Sequence, residues 1–273
     1  MKMKHLFTVT LSIAILSVSP VFSQSENSNQ ETDSAEKLAK QLANPVAALI
    51  SLSFQNNFDF GLGAFDGFRY NLNVQPVIPI SLNDKWNMIS RTIVPIISQS
   101  DVSAKGESEF GLGDIAQSIF FSPKEVKNGT VWGLGPVFLL PTATADVLGA
   151  EKWGIGPNAL LLKLSGQWTY GALVNHIWSI GGSGIHDINA SFFQPFMTYA
   201  TKSGASYSVA SENTQSWDNE IFGGFVGAYF AKVTKFGKQM VQLGGGPKVY
   251  YGNNPFNPDW GIRFNVIFLF PKK

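Results

Sequence analysis

The chain of 273 residues contains no cysteine and has a formal net charge of +1. The missing thiols exclude disulfide bridges, thiolate metal sites and cysteine nucleophiles. A charge so close to neutral gives no support for nucleic-acid binding, which is usually accompanied by a basic excess, so no nucleic-acid partner is expected.

The composition favours an all-β chain. Only 14% of the residues are charged, whereas aromatic residues reach 13% and glycine occupies 27 positions. Beyond the N-terminal segment, no apolar run approaches the roughly 18–20 residues that a membrane-spanning helix needs. The more specific prediction is an antiparallel transmembrane β-barrel, whose strands cross the membrane in short segments of alternating hydrophobicity.

The N-terminus has the pattern of an export signal. A basic head at residues 1–5 is followed by a mostly apolar stretch at residues 6–22. We interpret residues 1–23 as a secretory signal peptide, with an N-terminal anchor helix as the alternative.

The next segment, residues 24–47, is predicted to be a polar linker that ends in a short helix. Asp33 and Glu36 are spaced as a capping box. We therefore expect a helix from Ser34 to Ala43, which the Asn44-Pro45 pair would end.

From residue 48 onward, hydrophobicity alternates with a period of two. Between Phe68 and Ile80, apolar residues share one face with Pro76, and polar residues share the other. Such alternation indicates strands with one apolar and one hydrophilic face. Twelve strands are predicted, near 48–57, 67–80, 86–98, 113–122, 130–141, 153–164, 167–180, 188–201, 205–212, 219–233, 239–251 and 259–270.

The connections assign the barrel, residues 48–273, to the outer membrane of a Gram-negative cell. Short turns such as SLNDK and KSGA alternate with longer loops such as QSDVSAKGESEFGLG. Short periplasmic turns and longer extracellular loops are typical of outer-membrane barrels, and an even strand number places both ends in the periplasm.

The positions of the acids and tryptophans agree with this orientation. Of fifteen acidic residues after position 58, thirteen lie in or beside the longer loops, among them Asp59 and Glu212. All seven tryptophans lie near predicted strand ends, where indole favours the membrane interface. Seven prolines fall within predicted strands, however, and Pro195 and Pro247 are central, where only a bulge would accommodate them.

The hydrophilic faces are predicted to line a narrow lumen for a small-molecule solute. The predicted lumen-lining and solute-binding residues are Arg69, Asn71, Asn73, Gln75, Arg91, Lys163, Asn175, Gln194, Lys248, Arg263 and Asn265. All charged members are cationic, and rings of Arg or Lys favour anions such as carboxylates. The alternative is that these cations pair with loop acids folded inward, or hydrate a filled interior.

Outside the lumen, the expected partners are outer-membrane lipid and lipopolysaccharide, whose phosphates would face the acidic loops. Carboxylates there can hold divalent cations, but simple solvation of the loops is the alternative. No segment has calcium-loop spacing, and no motif predicts a cofactor, a metal site or an enzyme.

Two other functions remain open. A lipid hydrolase would need a nucleophile beside a base, and His176 on the predicted lipid-facing side is a candidate base, with Asn175 and Ser179 nearby. Ser179, however, points to the opposite face, and no nucleophile motif accompanies His176. A structural or adhesion barrel would be expected to have longer loops.

Segments throughout the mature chain resemble one family of outer-membrane barrels. They are NPVAALISLSFQNNFDFGLG, NVQPVIPISLNDKWNMISRTIVPII, GLGDIAQSIFFSPK, WGLGPVFLLPTAT, LGAEKWGIGP, WTYGALVNHIWS, FFQPFMTYAT and WGIRFNVIFLFPK. The family is the one grouped with meta-pathway phenol-degradation, transporter-like proteins, often mislabelled neuromedin U. The resemblance implies a barrel that moves small, hydrophobic or aromatic compounds, and it brings no catalytic residues.

The last strand also resembles the assembly signal of outer-membrane barrels, a polar residue and glycine followed by alternating apolar residues. Asp259, Gly261, Phe264 and Val266 stand at the matching positions. The resemblance implies recognition by the barrel-assembly machinery. The chain departs from the pattern in ending on Pro271-Lys272-Lys273 rather than on an aromatic residue.

Overall fold

A computed structural model describes residues 35–270 of the chain. Residues 35–42 form helix α1, and two 3-10 turns lie in loops, at Gly63–Phe65 and Asp146–Leu148. The strands are β1 (Ile50–Leu62), β2 (Gly67–Ser81), β3 (Trp86–Ser100), β4 (Ser108–Leu112), β5 (Ile115–Pro123), β6 (Thr130–Leu140), β7 (Lys152–Ser165), β8 (Trp168–Gly182), β9 (Asn189–Ala200), β10 (Ala205–Ser216), β11 (Ile221–Phe236), β12 (Gln239–Gly252) and β13 (Trp260–Phe270).

The strands form one closed antiparallel barrel. Each pairs with its neighbours along the chain, and β1 closes the sheet by pairing with β13. Strands β4 and β5 both pair with β3, on successive parts of its length, so together they act as one barrel strand interrupted at residues 113–114. The barrel therefore has twelve strands, as the alternation predicts.

Alternating side chains give the wall an apolar outer face and a polar inner face. On β13, Ile262 and Phe264 are exposed, whereas Arg263 between them is buried and lies beside Asn57 of β1. Six of the seven tryptophans are among the exposed large side chains. Because successive residues of a strand point to opposite faces, the sequence alternation is sufficient to produce both surfaces.

The wall is taller than predicted at the end that carries the longer loops, here called the loop end. Strand β1 continues to Leu62 and β10 to Ser216, so the connections at 63–66 and 217–220 have only four residues. In these extensions polar side chains point into the barrel interior. Such residues are as compatible with a barrel strand as with a loop, which is why the sequence did not distinguish the two.

Five strand prolines lie at gaps in the hydrogen-bond ladder. Around Pro195, the β9–β10 pairing stops after Phe196↔Ala210 and resumes at Phe193↔Asn213 in the same register. Equivalent two-residue gaps contain Pro76, Pro136, Pro157 and Pro247. The expected bulges at Pro195 and Pro247 are therefore wrong. Each proline still pairs with its other neighbour, so the missing N–H faces the gap.

The N-terminal segment lies inside the barrel at the opposite end, here called the short-turn end. Leu38 and Ala39 of α1 pack with Val233 and Leu269, which point inward from the wall. Val46 packs on another part of the wall, in a cluster with Phe120 and Leu162. The segment thus spans the lumen between two apolar patches.

Helix α1 agrees with the predicted helix over the residues that can be compared. The predicted signal peptide, most of the linker and the capping residue Asp33 lie outside the described residues. Within residues 35–270, no helix has the length and apolar character needed to span a bilayer.

Candidate functional site

The inner face brings most of the predicted lumen residues together. Their strand partners point the same way, as in Arg69 opposite Asp59 and Asn71 opposite Asn57. The predicted residues that lie on the inner face are Arg69, Asn71, Asn73, Gln75, Arg91, Asn175, Gln194, Lys248, Arg263 and Asn265. Binding of a solute by these residues remains a prediction.

The prediction that Lys163 lines the lumen is wrong. Its neighbours Leu162 and Leu160 are buried in the interior cluster, so Lys163, one position out of phase with them, lies on the outer face. It pairs across β8 with the exposed Tyr170. The ammonium donates to the carbonyl of Asn128 in a turn at the short-turn end, as expected for a lysine that extends toward the interface.

Lys248 is the centre of a buried ionic cluster near the loop end. Its Nζ lies 2.7 Å from Asp59 Oδ1, and it donates to Asn57 Oδ1 at 3.1 Å and to Tyr250 Oη at 2.8 Å. The lysine is 1% exposed and the aspartate 7%. Partners of this kind are required for a charge so far removed from water.

Arg263 extends the cluster across the lumen toward β10. Its Nε donates to Asn57 Oδ1 at 2.8 Å, and its Nη1 lies 2.7 Å from Glu212 Oε1. The ring of Phe225 lies 5.0 Å from both Lys248 Nζ and Arg263 Cζ. Side chains from β1, β10, β12 and β13 therefore meet in one ionic cluster, defined here as Asn57, Asp59, Glu212, Lys248 and Arg263, with Phe225 of β11 beside it.

Two of these cluster residues are predicted to lie in or beside loops. Asp59 follows the predicted end of the first strand, and Glu212 is the last residue of the predicted strand 205–212; the structure places both within longer strands of the wall. The signal that could have found Asp59 is the polar alternation Gln55, Asn57, Asp59 on β1. Lys248 and Arg263 thus pair with acids, but these acids belong to strands and are not loop acids folded inward, as the alternative proposed.

The other two inner-face arginines are held by glutamine instead of carboxylate. Arg69 Nε donates to Gln99 Oε1 at 2.8 Å. Arg91 Nη2 donates to Gln75 Oε1 at 3.0 Å. An amide oxygen fixes the guanidinium without cancelling its charge, so these two sites remain cationic.

A central chamber lies within the wall between the ionic cluster and the N-terminal segment. It has a volume of about 380 Å³, and its polar lining includes Asn73, Gln75, Arg91 and Gln194. A second cavity of about 260 Å³ shares Gln75, Arg91 and Gln194 and is bounded by residues 41–45. The two cavities share part of their lining and are together called the passage here; the second is bounded by the N-terminal segment.

One carboxylate makes several of the hydrogen bonds that hold the loop at 141–151 in place. Asp114 accepts hydrogen bonds from the backbone N–H groups of Thr142 at 3.1 Å, Ala143 at 3.1 Å and Ala150 at 2.6 Å. This acid therefore has a structural role in the folded loop.

Two further loop acids are also engaged within the protein. The backbone N–H of Gly106 lowers the pKa of Asp101 below its ordinary value. Hydrogen bonds from Lys152 and Ser179 lower the pKa of Asp187 in the same way. Among residues 35–270, no group of three or more acids or histidines is placed to hold a metal ion.

On the outer face, His176 meets a serine that the sequence did not indicate. Its Nδ1 lies 2.8 Å from the hydroxyl of Ser191, which is its direct partner across the β8–β9 pairing. The indole of Trp217 donates to the same hydroxyl at 2.9 Å. Sequence reasoning missed Ser191 because the contact depends on strand register.

Comparison with known proteins supports this architecture. No family model and no curated protein match the chain. Among solved structures, it is similar to an outer-membrane channel from Pseudomonas putida F1, with a TM-score of 0.64, 14% identity, and coverage of 81% of this chain and 94% of the other. The chain shares its closed β-barrel fold with this structure. The NanC porin is similar at a TM-score of 0.49 and 8% identity, over 81% of this chain and all of the other.

Proposed function

We propose that the protein is an outer-membrane channel for small solutes. The observation that carries the proposal is the passage itself, a chamber lined by Asn, Gln and Arg inside a wall whose outer face is apolar. A polar cavity enclosed by an apolar surface is the arrangement that conducts solutes across a hydrocarbon layer. The predicted signal peptide supports delivery to this membrane.

The solutes are small and pass selectively. A twelve-strand barrel is intermediate between side-chain-filled eight-strand barrels and wide porins. In this chain the ionic cluster occupies part of the bore, and the N-terminal segment occupies the short-turn end. The resemblance to the phenol-degradation family supports hydrophobic or aromatic compounds as the class that is moved.

We propose in addition that β13 carries the signal for the barrel-assembly machinery. Phe264 and Val266 point to the outer face, where a membrane-embedded partner can reach them. Asp259 and Gly261 lie at the loop end of this strand, next to Phe60 and Asp59 of β1.

In planar bilayers, the purified barrel is expected to conduct and to favour chloride over potassium, because Arg69 and Arg91 are cationic sites without a carboxylate partner. Replacing both by glutamine is expected to bring the permeability ratio toward one. Lys163→Gln removes a charge from the outer wall and serves as the matched control, with unchanged selectivity. A preference for potassium in the unaltered protein would contradict the proposal.

A lipid hydrolase is the second candidate function, and the contact between His176 and Ser191 is the observation that favours it. In such a site Ser191 Oγ would attack an ester carbonyl while His176 Nδ1 accepts the hydroxyl proton and returns it to the departing alcohol. Water would then release the acyl group. Both side chains lie on the outer face, where membrane lipid is the adjacent substrate.

If this second function operates, Ser191→Ala and His176→Ala will each abolish fatty-acid release from phospholipid in mixed micelles. Ser179→Ala is the control, because Ser179 faces inward and bonds to Asp187. Equal release by the unaltered protein and the Ser191 variant, or no release by either, would exclude the hydrolase.

A further inference from the structure

The four cations of the inner face divide into two chemical kinds. Lys248 and Arg263 each form a short contact with a carboxylate, at 2.7 Å in both cases. Arg69 and Arg91 are oriented by glutamine oxygens, and neither forms a salt bridge within the described residues. A guanidinium oriented by a neutral acceptor keeps its charge for another anion.

Of these two arginines, only Arg91 lines the central chamber. Arg69 lies nearer the loop end and has Asp59 and Glu109 as neighbouring acids. Glu212 is the acid that acts electrostatically on Arg91, and its Oε1 is already bound by Arg263. Glu212 also lines the chamber, but its ion pair with Arg263 offsets its charge, so Arg91 remains available to a second anion.

The guanidinium of Arg91 has N–H groups that donate to no other group of the described residues. It carries five N–H donors in a planar fork, a geometry that matches a carboxylate bidentately. Its bond to Gln75 is the one hydrogen bond that this guanidinium makes to the described chain. The amides of Asn73 and Gln194 also line the chamber, and each amide nitrogen already donates one hydrogen bond, to Gln55 and Glu212 respectively.

One part of the chamber lining is apolar, whereas Gln55, Ser118, Asn175, Thr214 and Glu212 add polar groups to the rest. Leu173 and Ile177 of β8, Phe192 of β9, and Val137 and Leu139 of β6 contribute to its lining. A ligand that contacts both Arg91 and this apolar part of the lining therefore carries an anionic group and a compact hydrocarbon body. A fully hydrated inorganic anion would leave this apolar surface in contact with water.

We propose that the central chamber is a binding site for small organic monocarboxylates, with the carboxylate on Arg91 and an aromatic or short alkyl body against Leu173, Ile177 and Phe192. This inference rests on the proposed function in that the chamber is part of the solute passage. It narrows the solute class to amphipathic anions and assigns their recognition to one arginine.

Equilibrium binding to the detergent-solubilised full-length protein tests the site, with benzoate as the probe and isothermal titration calorimetry as the measurement. Replacing Arg91 with Gln is expected to weaken benzoate binding by about 10- to 100-fold, the usual loss for one charged hydrogen-bonding group. Arg91→Lys keeps the charge without the fork and is expected to give an intermediate affinity. Arg69→Gln is the matched control, with unchanged affinity.

Two further probes separate the parts of the ligand. Benzamide, which lacks the charge, and acetate, which lacks the apolar body, are both expected to bind more weakly than benzoate. Phe192→Ala is expected to reduce benzoate affinity without affecting that of acetate. Heat-modifiable migration on gels shows that each variant is folded before it is titrated.

Equal benzoate affinity in the unaltered protein and the Arg91→Gln variant would overturn the proposal, as would equal losses in the Arg91→Gln and Arg69→Gln variants. Titration does not depend on conduction, so the two proposals can fail separately. If the barrel conducts but does not bind benzoate, the channel proposal is supported and the binding site is excluded. If the barrel binds benzoate through Arg91 but does not conduct, the binding site is supported and the channel proposal is excluded.

Discussion

Deletion of residues 35–48 is expected to raise the single-channel conductance severalfold. These residues form α1 and the following segment, which spans the lumen at the short-turn end and bounds the passage there. The barrel ladder closes without them, because β1 begins at Ile50 and pairs with both β2 and β13. Recordings in planar bilayers would compare the shortened and full-length proteins at equal salt.

Point variants test whether packing, and not chain length, holds this segment in place. Leu38→Asp and Val46→Asp place a charge in each of the two apolar clusters and are expected to reproduce part of the conductance increase. Lys37→Ser alters an exposed position of the same helix and should leave conductance unchanged. If the deletion and both Asp variants conduct like the full-length protein, the segment does not obstruct the passage.

The second large effect concerns stability. Replacing Lys248 with Met is expected to reduce the free energy of unfolding by about 3–5 kcal/mol, because the substitution leaves the buried Asp59 without its cation. Guanidinium titration of the refolded barrel in liposomes, followed by tryptophan fluorescence, measures the change. Lys163→Met, on the outer wall, is the control and should have little effect.

A double substitution separates the ion pair from the packing. Lys248→Met with Asp59→Asn removes both charges, so most of the loss should be recovered, since the cost lies in the unpaired charge and not in the absent bridge. A double variant that is as unstable as the sum of the single variants would show that the two side chains contribute independently.

Alternation along the chain was sufficient to predict the barrel, its strand number and the inner position of most polar residues. The segment Arg69 to Gln75 illustrates why, because each face of a regular strand is fixed by parity alone. Lys163 shows how parity can be misapplied. Its position is set by Leu160 and Leu162, and a lysine near a strand end reaches the interface from the outer wall without entering the lumen.

Contacts between distant strands could not be predicted in the same way. Ser191 meets His176, and Glu212 meets Arg263, only through the register of neighbouring strands or across the bore. The prolines are a related case. Pro195 was incompatible with an intact ladder, but nothing in a single strand indicates that the ladder is interrupted on one side and continues on the other.

The buried ionic cluster also affects the order in which the barrel folds. Asn57 lies 191 positions from Lys248 and 206 from Arg263, so these bonds join the first strand to the last two. Contacts of such high sequence separation form late, because the intervening chain must first be ordered. Until β1 meets β13, each has a free edge, and the buried Asp59 and Lys248 lack the ion pair between them. The β1–β13 pairing and the cluster therefore form together. Substitutions in the cluster will slow this last step of folding more than they slow the assembly of the preceding strands.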